Sequence, residues 1–395
     1  MTELLTLSNR AQNLSFSQTR AFDARCRALI SEGKNVILFT LGEPDFPTPK
    51  NVKRSAVAAI KEDFTHYTNA AGILELRQAI AEKLQKENGL NYSPDNIVVS
   101  AGAANILYSI FQCIINPGDE VILPQPLWPT FAEQVKAASG VPNFVHCTEE
   151  NLFEPTPDLI AAAITKNTRA VVLNSPCNPT GAMLSRKSAS KIAQLAIENN
   201  FWIISDEIYE KISFDQKPVS PALYARDNTI VVNGVSKAYA MTGWRIGYAA
   251  GPSEVMKSIG ALQSISIGNP NSIAQKAALA ALTGPQGNVA KMRKEFRERR
   301  DLIVKLLNEV DGISCRASPG AFYAFANISK LKGKTFGGKK LESSVDVSNF
   351  FLDSALVGAT PGQPFGSDNH LRFSFATSQE KIKEGIERIK KAVQG

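Results

Sequence analysis

Cysteine is scarce in this chain of 395 residues, and the few that are present are Cys26, Cys113, Cys147, Cys177 and Cys315. Their number is odd, they are scattered, and no two have the spacing of a CxxC motif. This pattern excludes a disulfide framework and a cysteine-based metal site. We therefore expect free thiols, no bound metal and a reducing compartment, the cytoplasm. We expect Cys177 to fill space rather than to act as a redox-sensitive thiol.

Long apolar runs are also missing, and the first ten residues, Met1–Arg10, are of mixed polarity. We therefore expect neither a membrane span nor a secretory or transit peptide. The net charge of +7 does not form a basic stripe, because basic and acidic residues alternate, as in Arg293–Arg300. We expect that run to be the solvated face of a helix and do not expect a nucleic-acid partner.

Helices and short β-rich runs alternate along the chain. Apolar periodicity predicts helices over 51–62, 74–88, 103–115 and 186–199, and strands over 97–100, 120–123 and 170–173. Alternation of this kind predicts βαβ units and a mostly parallel sheet. The Gly- and Lys-rich segment 331–340 predicts an exposed loop. A hydrophobic content of 44% is enough for a packed core, in two domains or one large α/β unit.

The most informative segment is Val232–Tyr248, where Lys237 and Arg245 follow an apolar run and a Gly-containing turn. Burial behind a strand lowers the pKa of a lysine, and the neutral amine can then form a Schiff base with an aldehyde. A guanidinium such as that of Arg245 can bind a phosphate at two points. An aldehyde and a phosphate in one ligand suggest pyridoxal phosphate.

Polar residues follow two further apolar runs. Asp206 ends the run that starts at Phe201, at the edge of a parallel sheet where ligands bind. A carboxylate there can keep a pyridine nitrogen protonated, and Tyr209 can hydrogen-bond the ring hydroxyl. Asn178 follows the strand at 170–173. From the residues alone, plainer roles stay open: Asp206 as a helix cap and Asn178 as a turn residue.

In their order and spacing, the motifs of this chain resemble those of class I aminotransferases of the aspartate aminotransferase family, which are fold type I enzymes that use pyridoxal phosphate. The matching motifs span nearly the whole chain and are Gly42–Phe46, Tyr67–Thr68, Gly72–Arg77, Asn178–Gly181, Ser205–Tyr209, Ser236–Arg245, Pro319–Tyr323 and Leu371–Ser374. The resemblance implies an α/β fold in which helices sandwich a mostly parallel sheet, with a smaller α+β domain. It implies a large cofactor domain at 47–300 and a small substrate-closing domain at 1–46 plus 301–395.

The resemblance also implies roles for individual residues. Catalytic roles fall to Lys237, Asp206 and Tyr209. The cofactor-binding residues would be Tyr67, Ala103, Ala104, Trp128, Asn178, Asp206, Tyr209, Ser236, Lys237 and Arg245. The substrate-binding residues would be Gly42, Trp128, Asn178 and Arg372. Without the family, the Gly turn before Ala103 and Ala104 is only a weak sign of an anion site at a helix N-terminus. Tyr67 would reach the neighbouring subunit's cofactor, so a homodimer with shared sites is expected.

The implied activity is transfer of an amino group from an L-amino acid to a 2-oxo acid by a ping-pong mechanism, with glutamate and 2-oxoglutarate as one pair. The chain departs from the family pattern at two places, the turn Gly102–Asn105 and the segment 15–19. Each of them lacks a lysine that is usual in relatives. We therefore expect weaker recognition of a distal carboxylate, and aromatic, aliphatic or unusual donors stay open. Arg20 either replaces the lost cation or is solvated. Leu127, where relatives often have Tyr, would make the pocket more apolar.

Two alternatives to an aminotransferase stay open. A C–S lyase or synthase on the same scaffold would retain Lys237, Asp206 and Arg372, although the segment Thr242–Arg245 favours a transaminase. A transcription regulator with an aminotransferase-like domain would carry an additional N-terminal DNA-binding module, and here the family pattern begins close to Met1.

Overall fold

The computed structural model describes residues 6–12 and 18–394, except for the side chains of residues 9, 10 and 18–20. The segment 1–5, the segment 15–17 and the side chain of Arg20, which enter the expectations above, lie outside this description. The helices, in chain order α1 to α13, are Asn9–Gln12, Gln18–Ser31, Lys50–Lys61, Leu74–Lys83, Ala103–Ile114, Thr130–Ala137, Pro157–Ala163, Arg186–Glu198, Ser253–Ser266, Ser272–Thr283, Gly287–Leu307, Ser344–Ala355 and Gln379–Gln394.

The strands, in chain order β1 to β14, are Ile37–Leu38, Ile97–Ser100, Glu120–Gln125, Val141–His146, Thr168–Asn174, Trp202–Asp206, Thr229–Gly234, Gly247–Ala250, Tyr323–Asn327, Thr335–Phe336, Lys339–Lys340, Val357–Gly358, Thr360–Pro361 and His370–Ser374. Seven of them form the central sheet in the order β2-β8-β7-β6-β5-β3-β4. The five strands β7, β6, β5, β3 and β4 run parallel to one another. Strand β8 is antiparallel to both of its neighbours, β2 and β7. The predicted mostly parallel sheet is confirmed.

The central strands are continuous apolar runs because helices cover both faces of the sheet. Val171, Ile203 and Val231 are fully buried, and separate apolar cores lie on the two sides of the sheet. The predicted helices at 51–62, 103–115 and 186–199 are confirmed to within one residue at each end. The helix predicted over 74–88 is α-helical only to residue 83 and continues as a π-helical turn over Leu84–Asn88.

A second, antiparallel sheet in the order β13-β14-β9 packs with α11, α12 and α13 around another apolar core. The N-terminal part of the chain joins this region because β1 pairs in parallel with β12. This arrangement brings residues near position 40 next to residues near position 370. It therefore sets one wall of a cleft whose other wall is the carboxyl edge of the central sheet.

Two expectations on surface segments were correct only in part. The segment 331–340 is not simply an exposed loop, because β10 and β11 pair in it as a hairpin and Leu331 is fully buried. The run Arg293–Arg300 does lie on a helix, α11, but only part of it is solvated. Arg299 and Arg300 are buried, because they form ion pairs with Asp45 and Asp215 and stack on aromatic rings. Charge alternation along a helix does not reveal such tertiary partners.

All five cysteines are free. Burial raises the pKa of the Cys177 thiol to about 11, so this thiol is poorly reactive at neutral pH. Over residues 6–12 and 18–394, no helix combines the length and the apolar character that crossing a membrane requires.

Candidate active site

A cleft of about 570 Å³ opens at the carboxyl edge of the central sheet. Of the twelve residues predicted for the site, eleven line this cleft: Gly42, Ala103, Ala104, Trp128, Asn178, Asp206, Tyr209, Ser236, Lys237, Arg245 and Arg372. Tyr67 does not line it, and this residue is 95% exposed. Residues separated by more than 300 positions in sequence thus meet in one cavity.

Lys237 follows β7 and points its amine toward the opposite wall. Its Nζ donates a hydrogen bond of 2.6 Å to the Gly42 carbonyl and lies 5.8 Å from the centre of the Tyr209 ring. Burial, assisted by the positive charges of Arg245 and Arg372, lowers its pKa from 10.5 to about 8. At pH 7 roughly one amine in ten is then neutral, compared with fewer than about one in a thousand for an ordinary lysine. A neutral amine is the form that attacks an aldehyde.

Asp206 ends β6, next to β7, and is buried beneath the cleft. Burial raises the pKa of its carboxyl to about 7. The Ile208 N–H, which donates to the carboxyl at 3.2 Å, and the charge of Lys237 lower the pKa, but by less than burial raises it. A carboxylate in this position is poised to bind a cationic N–H group. The Tyr209 hydroxyl is 2.8 Å from that of Tyr323, and burial holds the pKa of Tyr209 well above its ordinary value. The phenol is therefore a neutral hydrogen-bonding group.

The N-terminus of α5 and the side chain of Arg245 lie together at one end of the cleft. Gly102, at φ +92°, precedes the helix, and a Cβ there would lie 2.4 Å from Arg245 Nη2. The glycine therefore leaves room for the guanidinium beside the helix end. Among the described residues, the N–H groups of Ala103 and Ala104 have no acceptor and Arg245 has no carboxylate partner. The guanidinium donates to two backbone carbonyls, at 2.9 and 3.4 Å. The free N–H groups together with this cation, and with Ser236 beside them, would suit a phosphate.

Arg372 lies on β14 and is buried in the wall opposite Lys237. Its Nη1 donates to Asn178 Oδ1 at 2.9 Å and its Nη2 to the Thr40 carbonyl at 2.8 Å, while Nε has no partner. The guanidinium also lies over the Tyr323 ring, 4.6 Å from its centre. No aspartate or glutamate of the described part of the chain lies within ion-pair distance. A buried cation bonded only to neutral groups is suited to bind an anionic ligand.

Trp128 lines the cleft and packs edge-on against Phe131, with ring centres 5.4 Å apart. Leu127, its neighbour, was expected to make the pocket more apolar, and this was wrong. Leu127 is buried and lines a separate small cavity of about 30 Å³, together with Cys177. The apolar substitution therefore lies behind the cleft wall.

Sequence patterns did not single out four other residues that matter to the cleft. Thr40 and Tyr323 touch Arg372, and Asp23 and Arg27 of α2 line the mouth. Tyr323 was within a recognised motif, but without an assigned role. The spacing of Asp23 and Arg27 by four residues is typical of an ion pair on a helix and gives no sign that a cleft lies beside it.

The arrangement of an amine, a buried carboxylate and an anion site around one cleft fits the aldehyde, ring nitrogen and phosphate of pyridoxal phosphate. A family model described as aminotransferase class I and II matches residues 34–389.

An aspartate/prephenate aminotransferase of Cereibacter sphaeroides is 43% identical over 97% of both chains, and an aspartate aminotransferase of Bacillus subtilis is 41% identical over 99% of both. The crystal structure of a Rhizobium meliloti aspartate aminotransferase superposes with a TM-score of 0.96 at 40% identity, covering 99% of both chains. That of the Thermus thermophilus enzyme with maleate has a TM-score of 0.94 at 39% identity, covering 98% of this chain and 100% of that one. The chain therefore belongs to the class I aminotransferases, enzymes that use pyridoxal phosphate to move an amino group between an amino acid and a 2-oxo acid.

Proposed function

We propose that this aminotransferase passes the amino group of an L-amino acid to 2-oxoglutarate, with Lys237, Asp206 and Tyr209 as its catalytic residues. The observation that carries this proposal is the buried guanidinium of Arg372. It has no carboxylate partner among residues 6–12 and 18–394, and it lines the same cleft as a lysine whose pKa is lowered to about 8. An α-carboxylate would pair with the guanidinium, next to an amine able to take up a proton.

The bound cofactor supplies an aldehyde for covalent attachment of amino groups and a ring that accepts electrons released at the substrate Cα. Each end of the cofactor would meet a matching set of hydrogen-bonding groups. Asp206 would accept a hydrogen bond from the ring nitrogen, Tyr209 and Asn178 would contact the ring hydroxyl, and Trp128 would stack on the ring. Its phosphate would bind Arg245, Ser236 and the N–H groups of Ala103 and Ala104.

The substrate would lie between Lys237 and Arg372. Arg372 binds its α-carboxylate by charge-assisted hydrogen bonds, next to Asn178 and the backbone of Gly42. Lys237 Nζ, which the substrate amine would displace from the cofactor, would take the proton from the substrate Cα as a base. It would then deliver that proton, as an acid, to the former aldehyde carbon of the cofactor, so that the amino group stays on the cofactor and water releases the 2-oxo acid. Donor and acceptor occupy the same cleft in turn, which gives ping-pong kinetics.

The identity of the donor is a further part of the proposal. The lysine missing from the turn Gly102–Asn105 predicts that aspartate, with its short side chain, is a poorer donor than an aromatic amino acid. Steady-state rates with 2-oxoglutarate as acceptor test this directly, and comparable kcat/KM values for aspartate and phenylalanine would contradict it.

Single amino acids added to the holoenzyme without any 2-oxo acid test the proposed function. We expect the visible absorption of the bound cofactor to disappear as one equivalent of 2-oxo acid is released per site, and the donor that reacts fastest is the preferred one. Release of ammonia with unchanged absorption would instead indicate the lyase chemistry that the same residues permit.

We further propose a homodimer with shared active sites. The proposal is supported by Tyr67, which is 95% exposed, and by Ile265 on α9, which is 83% exposed. The two residues lie on neighbouring segments, since Gln263 of α9 donates to the Ala70 carbonyl. Large exposed apolar groups of this kind mark interaction surfaces. Light scattering should give twice the chain mass, and Ile265→Asp should shift the enzyme toward the monomer with loss of activity.

The division into a large unit at 47–300 and a smaller unit at 1–46 plus 301–395 is likewise a proposal. Separate sheets and the pairing of β1 with β12 support it, and hydrogen exchange should show β1, β9 and β14 opening as one unit. We also propose that the enzyme acts in the cytoplasm, which the five free thiols support and cell fractionation would test.

A further inference from the structure

An ion pair on α2 lies at the mouth of the cleft. Arg27 Nε donates to Asp23 Oδ2 at 2.7 Å, one helical turn away, and both side chains line the cavity that contains Lys237 and Arg372. The proposed reaction gives Arg27 no role. Arg27 is therefore a cation of the cleft lining to which the proposed reaction assigns no function.

Asp23 connects this ion pair to the site for the α-carboxylate. Its Oδ1 accepts a hydrogen bond from Thr40 Oγ1, and the Thr40 carbonyl accepts one of 2.8 Å from Arg372 Nη2. Arg372, Thr40, Asp23 and Arg27 thus form a continuous hydrogen-bonded series from the buried guanidinium to the mouth. A substrate bound at Arg372 would therefore lie in the cleft that Arg27 also lines.

The guanidinium of Arg27 has donors available for a ligand. Only Nε is engaged, and neither Nη atom has an acceptor among the side chains that the structure describes. Glu43 also lines the mouth, but its carboxylate accepts a hydrogen bond of 2.6 Å from Thr242 Oγ1. Two Nη atoms on one planar group can bind a carboxylate at two points, which a lysine cannot do.

We propose that Arg27 binds the distal carboxylate of glutamate and 2-oxoglutarate and so determines how well this longer dicarboxylate pair is used. The inference rests on the proposed function, in which Arg372 takes the α-carboxylate. In this role, Arg27 supplies a cation at the mouth of the cleft in place of the lysine that is missing from Gly102–Asn105. The longer side chain of glutamate reaches further toward that mouth than the side chain of aspartate.

The test compares Arg27→Gln with Arg25→Gln in single-turnover reactions of the holoenzyme with glutamate and with phenylalanine. Arg25 is a matched control because it lies on the same helix but pairs with Asp353 of α12 at 2.7 Å, away from the cleft. We expect Arg27→Gln to lower kcat/KM for glutamate about tenfold, the effect of one charge-assisted contact at a partly exposed site. The value for phenylalanine should stay within about twofold. Arg27→Lys should recover part of the loss, and Arg25→Gln should affect neither substrate.

Equal losses for glutamate and phenylalanine, or no loss for either, would overturn the inference. Its failure is distinguishable from failure of the proposed function. If the unaltered holoenzyme converts no amino acid at all, the proposed function is wrong. If it converts both substrates and Arg27→Gln leaves their ratio unchanged, only the role of Arg27 is wrong.

Discussion

We predict that Asp206 destabilises the cofactor-free enzyme at neutral pH. The side chain is buried, and burial raises its pKa from 3.8 to about 7. Between these two values the unfolded chain has released the proton while the folded chain still holds it, so stability falls as the pH rises. Because a tenfold change in an ionisation constant corresponds to about 1.4 kcal/mol, the full difference is about 4 kcal/mol above pH 7.

The substitution Asp206→Asn removes this ionisation and keeps an oxygen that accepts the Ile208 N–H bond. We therefore expect the cofactor-free variant to be more stable than the unaltered enzyme at pH 8, by about 2 to 4 kcal/mol. The difference should shrink steadily as the pH falls from 7 toward 4, because the unfolded carboxyl takes up its proton as the pH nears 3.8. Bound cofactor should reverse the order, because an amide cannot neutralise a protonated ring nitrogen.

Urea unfolding followed by circular dichroism between pH 4 and 8, on protein stripped of cofactor, measures the free energy of unfolding of both forms. Asp311→Asn serves as the control, because the Asp311 side chain is 83% exposed and its replacement should change little at any pH. A cofactor-free Asp206→Asn variant that is less stable than the unaltered protein, or a difference that does not vary with pH, would contradict a raised pKa at Asp206.

Two other predictions follow from single contacts. Lys83 and Glu210 form a buried ion pair. Lys83→Met should therefore lower the free energy of unfolding by about 3 to 5 kcal/mol, because it leaves the Glu210 charge buried without a partner. Adding Glu210→Met should recover most of this loss, and a single variant as stable as the double variant would contradict the prediction. Gly102→Ala places a Cβ 2.4 Å from Arg245 Nη2 and should weaken cofactor binding about tenfold or more, measured by fluorescence titration. Gly118→Ala, at a similar φ of +90° but with open space around it, should leave cofactor binding unchanged, and equal losses in the two variants would count against the phosphate site.

The sequence predicted the central sheet well because its strands are continuous apolar runs separated by periodic helices. Lys237 and Asp206 follow adjacent parallel strands, and the carboxyl ends of such strands meet at one edge of a sheet. Chemistry at that edge could therefore be inferred from local patterns. The role expected of Arg372 came only through the family resemblance, since β14 lies in a different sheet.

Contacts between distant segments could not be predicted. Thr40 and Arg372 are 332 positions apart. The pairing of β1 with β12 and a hydrogen bond from the Ser374 N–H to the Phe39 carbonyl bring their regions together. For the same reason the burial of Arg299, which pairs with Asp45, was missed in a helix whose charges alternate. Arg27 is a similar case, because its spacing from Asp23 indicates an ion pair but not the cleft beside it.

The assignment of Lys237 is best tested by locating the covalent bond between protein and cofactor. Borohydride reduction of the holoenzyme fixes the cofactor to the amine that holds it, and proteolysis with mass spectrometry then identifies the peptide. We predict one cofactor per chain, attached to Lys237 alone, and none attached in Lys237→Ala. Attachment to another lysine, or recovery of all the cofactor in free form after reduction, would contradict the assignment of the site.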